Sequence, residues 1–140
     1  MWILFALLAA LAGAVLAMLT KAALKDVDSS LALAVQSVLI LVISWGAAAV
    51  QGSLGKLGEI DGRTWIYLVL AGVVTSASYL LLFRALALGE TARVVPLDRL
   101  SLVFTIILCA VFLKEKVTIQ VGLGGALMAA GALLIALANK

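Results

Sequence analysis

The sequence predicts an all-α integral membrane protein of five transmembrane helices. Three observations carry that prediction. Hydrophobic residues fill 66% of the 140 positions and charged residues 12%, with a mean hydropathy of +1.28. A water-soluble domain of this length cannot hide so much apolar surface. Five apolar runs recur along the chain, each close to the roughly 20 residues a helix needs to cross about 30 Å of hydrocarbon. The segments between the runs are short and polar. Backbone groups in lipid must bond within their own segment, so the runs read as helices, and the alternation of a barrel strand is missing.

The first run, 2–20, has no Lys or Arg ahead of it and is longer than a signal-peptide core, so it is expected to remain as a span. "KAALKDVDSS" leads to the second run, 31–50, with Asp28, Ser29 and Ser30 as N-cap candidates. "QGSLGKLGEIDGR" is the longest connection, with four glycines and both signs of charge. The third run, 65–88, is unbroken from Trp65 to Phe83 and continues to Leu88, where Gly89 is a stop signal. "GETAR" precedes the fourth run, 94–113, and the tight turn "KEKV" precedes the fifth, 118–137. No soluble domain or linker interrupts the pattern, and residues 1–140 read as a single five-helix transmembrane domain.

Composition also excludes. The one cysteine, Cys109, cannot form an internal disulfide, and histidine is absent. Zinc sites of the usual His/Cys kind and His-based acid–base or nucleophilic chemistry are therefore missing. No Walker-type glycine loop is present. No catalytic residue, metal or cofactor is expected, and the chain does not read as an enzyme. Ten Lys and Arg residues give a net charge of +3 and a pI near 9.3. They are spread along the chain without interleaved aromatics, which argues against nucleic acid.

Spread basic residues near helix ends act as orientation signals instead. On the N-terminal side lie Lys56, Arg63, Lys114 and Lys116; on the other lie Lys21, Lys25, Arg84, Arg93, Arg99 and Lys140. Setting aside Arg99 as embedded and Lys140 as terminal, the count is four against four. Two readings follow. Either one or two residues settle a single orientation, or the chain inserts both ways and opposite copies pair.

Helix faces supply the candidate contacts. On the first span Ala6, Ala9, Ala10, Gly13, Ala17 and Thr20 share a stripe. On the fifth, Gly122, Gly125, Ala126 and Ala129 form one small-residue face, and Gly124 and Gly131 mark a narrower second one. Small residues at this spacing let helices approach closely in lipid, so the two faces suggest contacts within the chain and with another copy. On the fourth span Asp98, Ser101, Thr105 and Cys109 lie within a narrow arc, while Val103, Ile106 and Ala110 point elsewhere. Thr75, Ser78 and Tyr79 share an arc on the third span, and Ser37 and Ser44 stand one above the other on the second. Such stripes can line a water-filled path, although hydroxyls in lipid also bond their own backbone.

Asp98 and Arg99 have two placements. If the fourth helix starts at Pro96, Asp98 sits in the first turn, favoured by the helix dipole, and Arg99 snorkels to the headgroups. If it starts near Thr91, Asp98 lies about 10 Å inside, and Pro96 interrupts the hydrogen-bond ladder. Energy permits the deeper position. A charge costs about 2.5–3.5 kcal/mol at mid-helix and a Leu, Ile, Val or Phe returns about 0.3–0.6. The eleven such residues between Leu97 and Leu113 thus offset one charge and part of a second. An ionisable residue at that depth is a site candidate.

The stretch "YLLLFRALALGETARVVPLDRLSLVFTIILCAVFLKEKVTIQVGLGGALMAAGALLIAL" resembles the EamA-type branch of the drug/metabolite transporter superfamily. Its similar features are a helix ending in "FRALALG", a polar bend, a long helix closed by "LKEKVT", and the glycine-rich "GLGGALMAAG". The likeness covers residues 65–137, and the five spans match one family repeat. It implies a secondary transporter of small metabolites or drugs, expected to be multi-pass in the inner (plasma) membrane. Larger members carry two inverted repeats with the path between them, so a single repeat implies an antiparallel homodimer. Asp98, Arg99, Ser101 and Thr105, with Thr75, Ser78 and Tyr79, would line that path, and Ser37 and Ser44 are further candidates. Glu115 would act in the turn or as a gate, and Pro96 at the bend. Two departures stand out. Many members place a proline deeper in this helix, and the first span lacks the Glu on which small multidrug transporters depend. Two other readings are a non-transporting subunit of a larger complex and a flippase subunit for lipid-linked substrates.

Overall fold

A computed structural model describes residues 1–114 and 117–138. Among them it shows α1 (Trp2–Ala23), α2 (Ser29–Val50), a 3₁₀ segment (Ser53–Glu59), α3 (Gly62–Leu88), α4 (Thr91–Asp98), α5 (Ser101–Phe112) and α6 (Ile119–Leu137), and no strand. Five helices are long and apolar enough to cross a membrane, with α4 and α5 together forming the fourth span, Thr91–Phe112. The all-α, five-span class expected from the sequence is the one observed.

Local chemistry sets the ends. Asp28, in extended conformation, accepts a hydrogen bond from the Ser30 N–H at 2.9 Å and caps α2. Thr118 does the same for α6, accepting from Val121 N–H at 3.4 Å. After α2, Gly52 turns the chain with a left-handed φ of 69°, a conformation glycine adopts without steric cost. The third helix begins at Gly62 rather than at Trp65, taking Arg63 and Thr64 into its first turn. A helix continues beyond the hydrocarbon as long as its backbone stays bonded, so apolar composition marks the lipid-facing length and not the helix end.

The chain divides into two compact units, one formed by Met1–Met18 with Leu88–Lys140, the other by Leu19–Ala87. In the first unit α6 packs on both α4 and α5. Gly125 is buried there, and a Cβ on it would meet Ile106 Cδ1 at 2.9 Å. Ala132 is also buried and Ala129 half-buried, so the packing face of α6 steps by four and then three residues, as one side of a helix must.

In the second unit Thr20, Ala32, Phe83 and Leu86 are buried. Gln36 Nε2 donates to Thr20 Oγ1 at 3.3 Å, and Lys21 Nζ donates to the Leu86 carbonyl at 2.5 Å. That carbonyl lies in the last turn of α3, where no helical N–H remains to meet it. A cation there also complements the negative end of the helix dipole.

Among the described residues the buried apolar side chains are Ala32, Phe83, Leu86 and Ala132. Large ones stand outside, such as Leu81 at 71% and Phe104 at 64% exposure. In water this would be untenable; in lipid it costs nothing.

Candidate functional site

The candidate site is built around the interruption of the fourth span. Glu90 opens α4 in extended conformation and pairs with Arg93, whose Nε lies 3.2 Å from Oε2. Pro96 sits inside α4 and has no N–H to return to the turn before it. Beyond it the ladder tightens. Arg99 N–H is shared between the carbonyls of Val95 at 3.3 Å and Pro96 at 3.1 Å, and Leu100 N–H reaches Leu97 at 3.0 Å. Leu102 N–H bonds Arg99, and Val103 N–H bonds Leu100, both at 3.0 Å. These are i→i−3 bonds, a 3₁₀ turn between two α-helical pieces. Among the described residues the Asp98 carbonyl and the Ser101 N–H have no backbone partner.

The helix therefore begins at Thr91, the earlier of the two starts the sequence allows. Asp98 and Arg99 are the eighth and ninth residues of the 22-residue span, about 12 Å from its start. Arg99 also meets another helix of the same unit. A Cβ on Gly13, the twelfth residue of the 22 in α1, would lie 3.7 Å from Arg99 Nη2. The guanidinium thus rests against the middle of α1, at ordinary contact distance from where a Cβ on Gly13 would stand. Neither the Asp98 nor the Arg99 side chain has a hydrogen-bond or ion-pair partner among the described residues.

The other predicted positions fall as follows. Ser101 and Thr105 are exposed on α5, and Val103, Ile106 and Ala110 are half-buried. Thr105 Oγ1 donates to the Ser101 carbonyl at 2.8 Å. Asp98, Arg99, Ser101 and Thr105 are thus gathered in the first unit, with Pro96 just before them. Ser37, Ser44, Thr75, Ser78 and Tyr79 belong to the second. Ser37 donates to the Leu33 carbonyl at 2.8 Å and Ser44 to Leu41 at 3.1 Å, each along its own helix. Thr75, Ser78 and Tyr79 are exposed, and the Tyr79 ring meets Phe83 edge-on with centroids 6.4 Å apart. On α6 Gly122 and Ala126 are exposed, and a Cβ on Gly122, Gly124 or Gly131 would meet nothing within 4 Å. Glu115 lies outside the described residues.

Sequence reasoning placed Thr20 on a helix stripe and Lys21 among the orientation signals, but paired neither, and Gln36 was not singled out. A signal for Gln36 existed: it is the one carboxamide within an otherwise apolar or hydroxyl-bearing second run, and such a group needs a partner in lipid.

Comparison with known proteins fits this architecture. The EamA-like transporter family matches residues 1–137, so the likeness extends through the first two spans as well. A Sinorhizobium sp. protein named "uncharacterized transporter in cobO 3′ region" is 44% identical over 135 residues, covering 96% of each chain. An uncharacterized protein of Methanocaldococcus jannaschii is 32% identical over 79 residues, 56% of this chain and 58% of that one. No solved structure matches. Five apolar spans and a match over nearly the whole length lead to one assignment: this multi-pass membrane protein belongs to the EamA-like transporter family.

Proposed function

We propose that the chain is half of a secondary transporter that exports small metabolites or drugs across the inner membrane, working as an antiparallel homodimer. One observation carries the reading: a membrane span interrupted midway, with a carboxylate and a guanidinium that have no partner among the described residues. Ionisable groups at this depth are costly and face an interior or a water-filled cavity. Interrupted helices at the midplane are where inverted-repeat transporters bind their cargo. Water, a substrate or a second copy must satisfy Asp98 and Arg99, and a path between two copies provides all three.

The dimer has its own support. Loop charges balance at four against four once Arg99 and Lys140 are set aside, and α6 keeps Gly122 and Gly124 open beside the face it uses within the chain. In antiparallel copies, midplane residues of both meet at one depth.

Purified protein in liposomes is expected to move at least one solute from a broad panel, and Asp98→Asn to abolish that movement at unchanged folded yield. Full transport by the variant would return Asp98 to a structural role. A verifiably folded wild type that moves nothing would instead favour a non-transporting subunit.

A further inference from the structure

We propose that the cavity between α2 and the 3₁₀ segment Ser53–Glu59 is a binding site for the headgroup of an anionic phospholipid. This site is lined by residues of the second unit alone and does not depend on the transport reading.

The cavity exists because the chain turns back on itself. Gly52, at φ 69°, ends α2 and sends the 3₁₀ segment against the last turns of that helix. A space of about 380 Å³ remains between them, within the range of small-molecule pockets, about 300–1,000 Å³, and smaller than a whole phospholipid. Its walls divide by chemistry. Leu54, Leu57 and Ile60 of the returning chain and Ala48 of α2 are apolar. Lys56, Ser53 and Trp45 bring an ammonium, a hydroxyl and an indole N–H. Ser44 already donates to the Leu41 carbonyl. Lys56 and Ser53 have no side-chain partner among the described residues, and no carboxylate is in the lining.

The single cation of the lining, with no carboxylate beside it, favours an anion, and the apolar wall favours an apolar body attached to it. Position supplies the source. α2 is a membrane span ending at Val50, so Trp45 and Lys56 stand at its edge, the depth at which Trp and Lys meet headgroups. Trp45 is 53% exposed, leaving its ring open to the bilayer. The molecule that brings a phosphate and a hydrocarbon body to this depth is a phospholipid, with its phosphate on Lys56 and its glycerol region against Leu54 and Leu57.

The test uses the full chain with Trp2→Phe and Trp65→Phe, which leaves Trp45 as the sole tryptophan. Trp45 emission is followed in phosphatidylcholine vesicles doped with brominated phosphatidylglycerol or brominated phosphatidylcholine at equal mole fraction. The phosphatidylglycerol form is expected to compete for the site about fivefold better, the effect of one Lys at a membrane surface. Lys56→Gln, an exposed substitution, is expected to remove that preference. Equal quenching by the two lipids, or a preference that survives Lys56→Gln, overturns the proposal. Loss of the preference on adding glycerol 3-phosphate shows a site for soluble phosphate and overturns the lipid assignment. If the tryptophan variants fail to fold, native mass spectrometry of the wild type and of Lys56→Gln decides. A phosphatidylglycerol adduct retained by the first and lost by the second is the expected result, and equal retention counts against it.

Discussion

Gly125 has so little space that a single methyl group is felt. A Cβ there would sit 2.9 Å from Ile106 Cδ1, the mobile end of an isoleucine, which can move aside. Gly125→Ala is therefore expected to lower the thermal midpoint in detergent only slightly. Gly125→Leu drives α5 from α6 and costs about 1–3 kcal/mol, the usual range for overpacking. Ile106→Ala in the same chain should recover part of that loss, and a double-mutant cycle measures it. Strict additivity of the two substitutions would show that they do not meet. Residues also show where sequence reading stops. The small-residue pattern on the fifth span was visible, but which of Gly122, Gly125, Ala126 and Ala129 are covered depends on the rotation of α6 against α4 and α5. Hydroxyl stripes were visible too. That Ser37, Ser44 and Thr105 donate to their own helices is a matter of rotamer, which spacing does not determine.

At the scale of an element, the fourth span shows a helix in two pieces where the sequence shows one run. Pro96 marked the place, yet the proline alone does not say where the ladder resumes. That follows from the i→i−3 bonds at Arg99, Leu100, Leu102 and Val103, which carry the interruption past the proline to Ser101. Pro is about 3 kcal/mol worse than Ala inside a helix, so Pro96→Ala is expected to raise the unfolding midpoint. Amide exchange at Leu100 and Ser101 should slow as regular bonds re-form. A lowered midpoint would mean that the packing of α4 on α6 requires the bend. The start of this helix at Thr91 was one of two open placements, because polar residues such as Arg93 fit either a loop or a first turn. Packing on α6 decides for the turn.

For the whole molecule, the legible part is the class: five spans, their order and their connections follow from apolar length alone. Lipid, rather than a buried core, covers most of the side chains, and hydropathy records that directly. Contacts such as Lys21 with the Leu86 carbonyl, between residues 65 apart in sequence, leave no periodic trace. The balance of basic residues carries the prediction at this scale. Reporters active only inside or only outside the cytoplasm, fused at Lys140, are expected to give comparable signals, as two orientations require. One clean orientation would remove the self-sufficient antiparallel pair and leave a parallel assembly or a separate inverted partner.

The division of the chain also has a consequence for how it is made. Leu19–Ala87 is continuous, whereas the other unit joins Met1–Met18 to Leu88–Lys140. During synthesis the continuous unit can close as soon as its last residue leaves the ribosome. Residues 1–18, made before that unit, find their partners only when α4, α5 and α6 follow it. The end of α1 is already held in the continuous unit through Thr20 and Lys21, so a pause in translation before α6 is expected to leave only residues 1–18 of that helix without their partners.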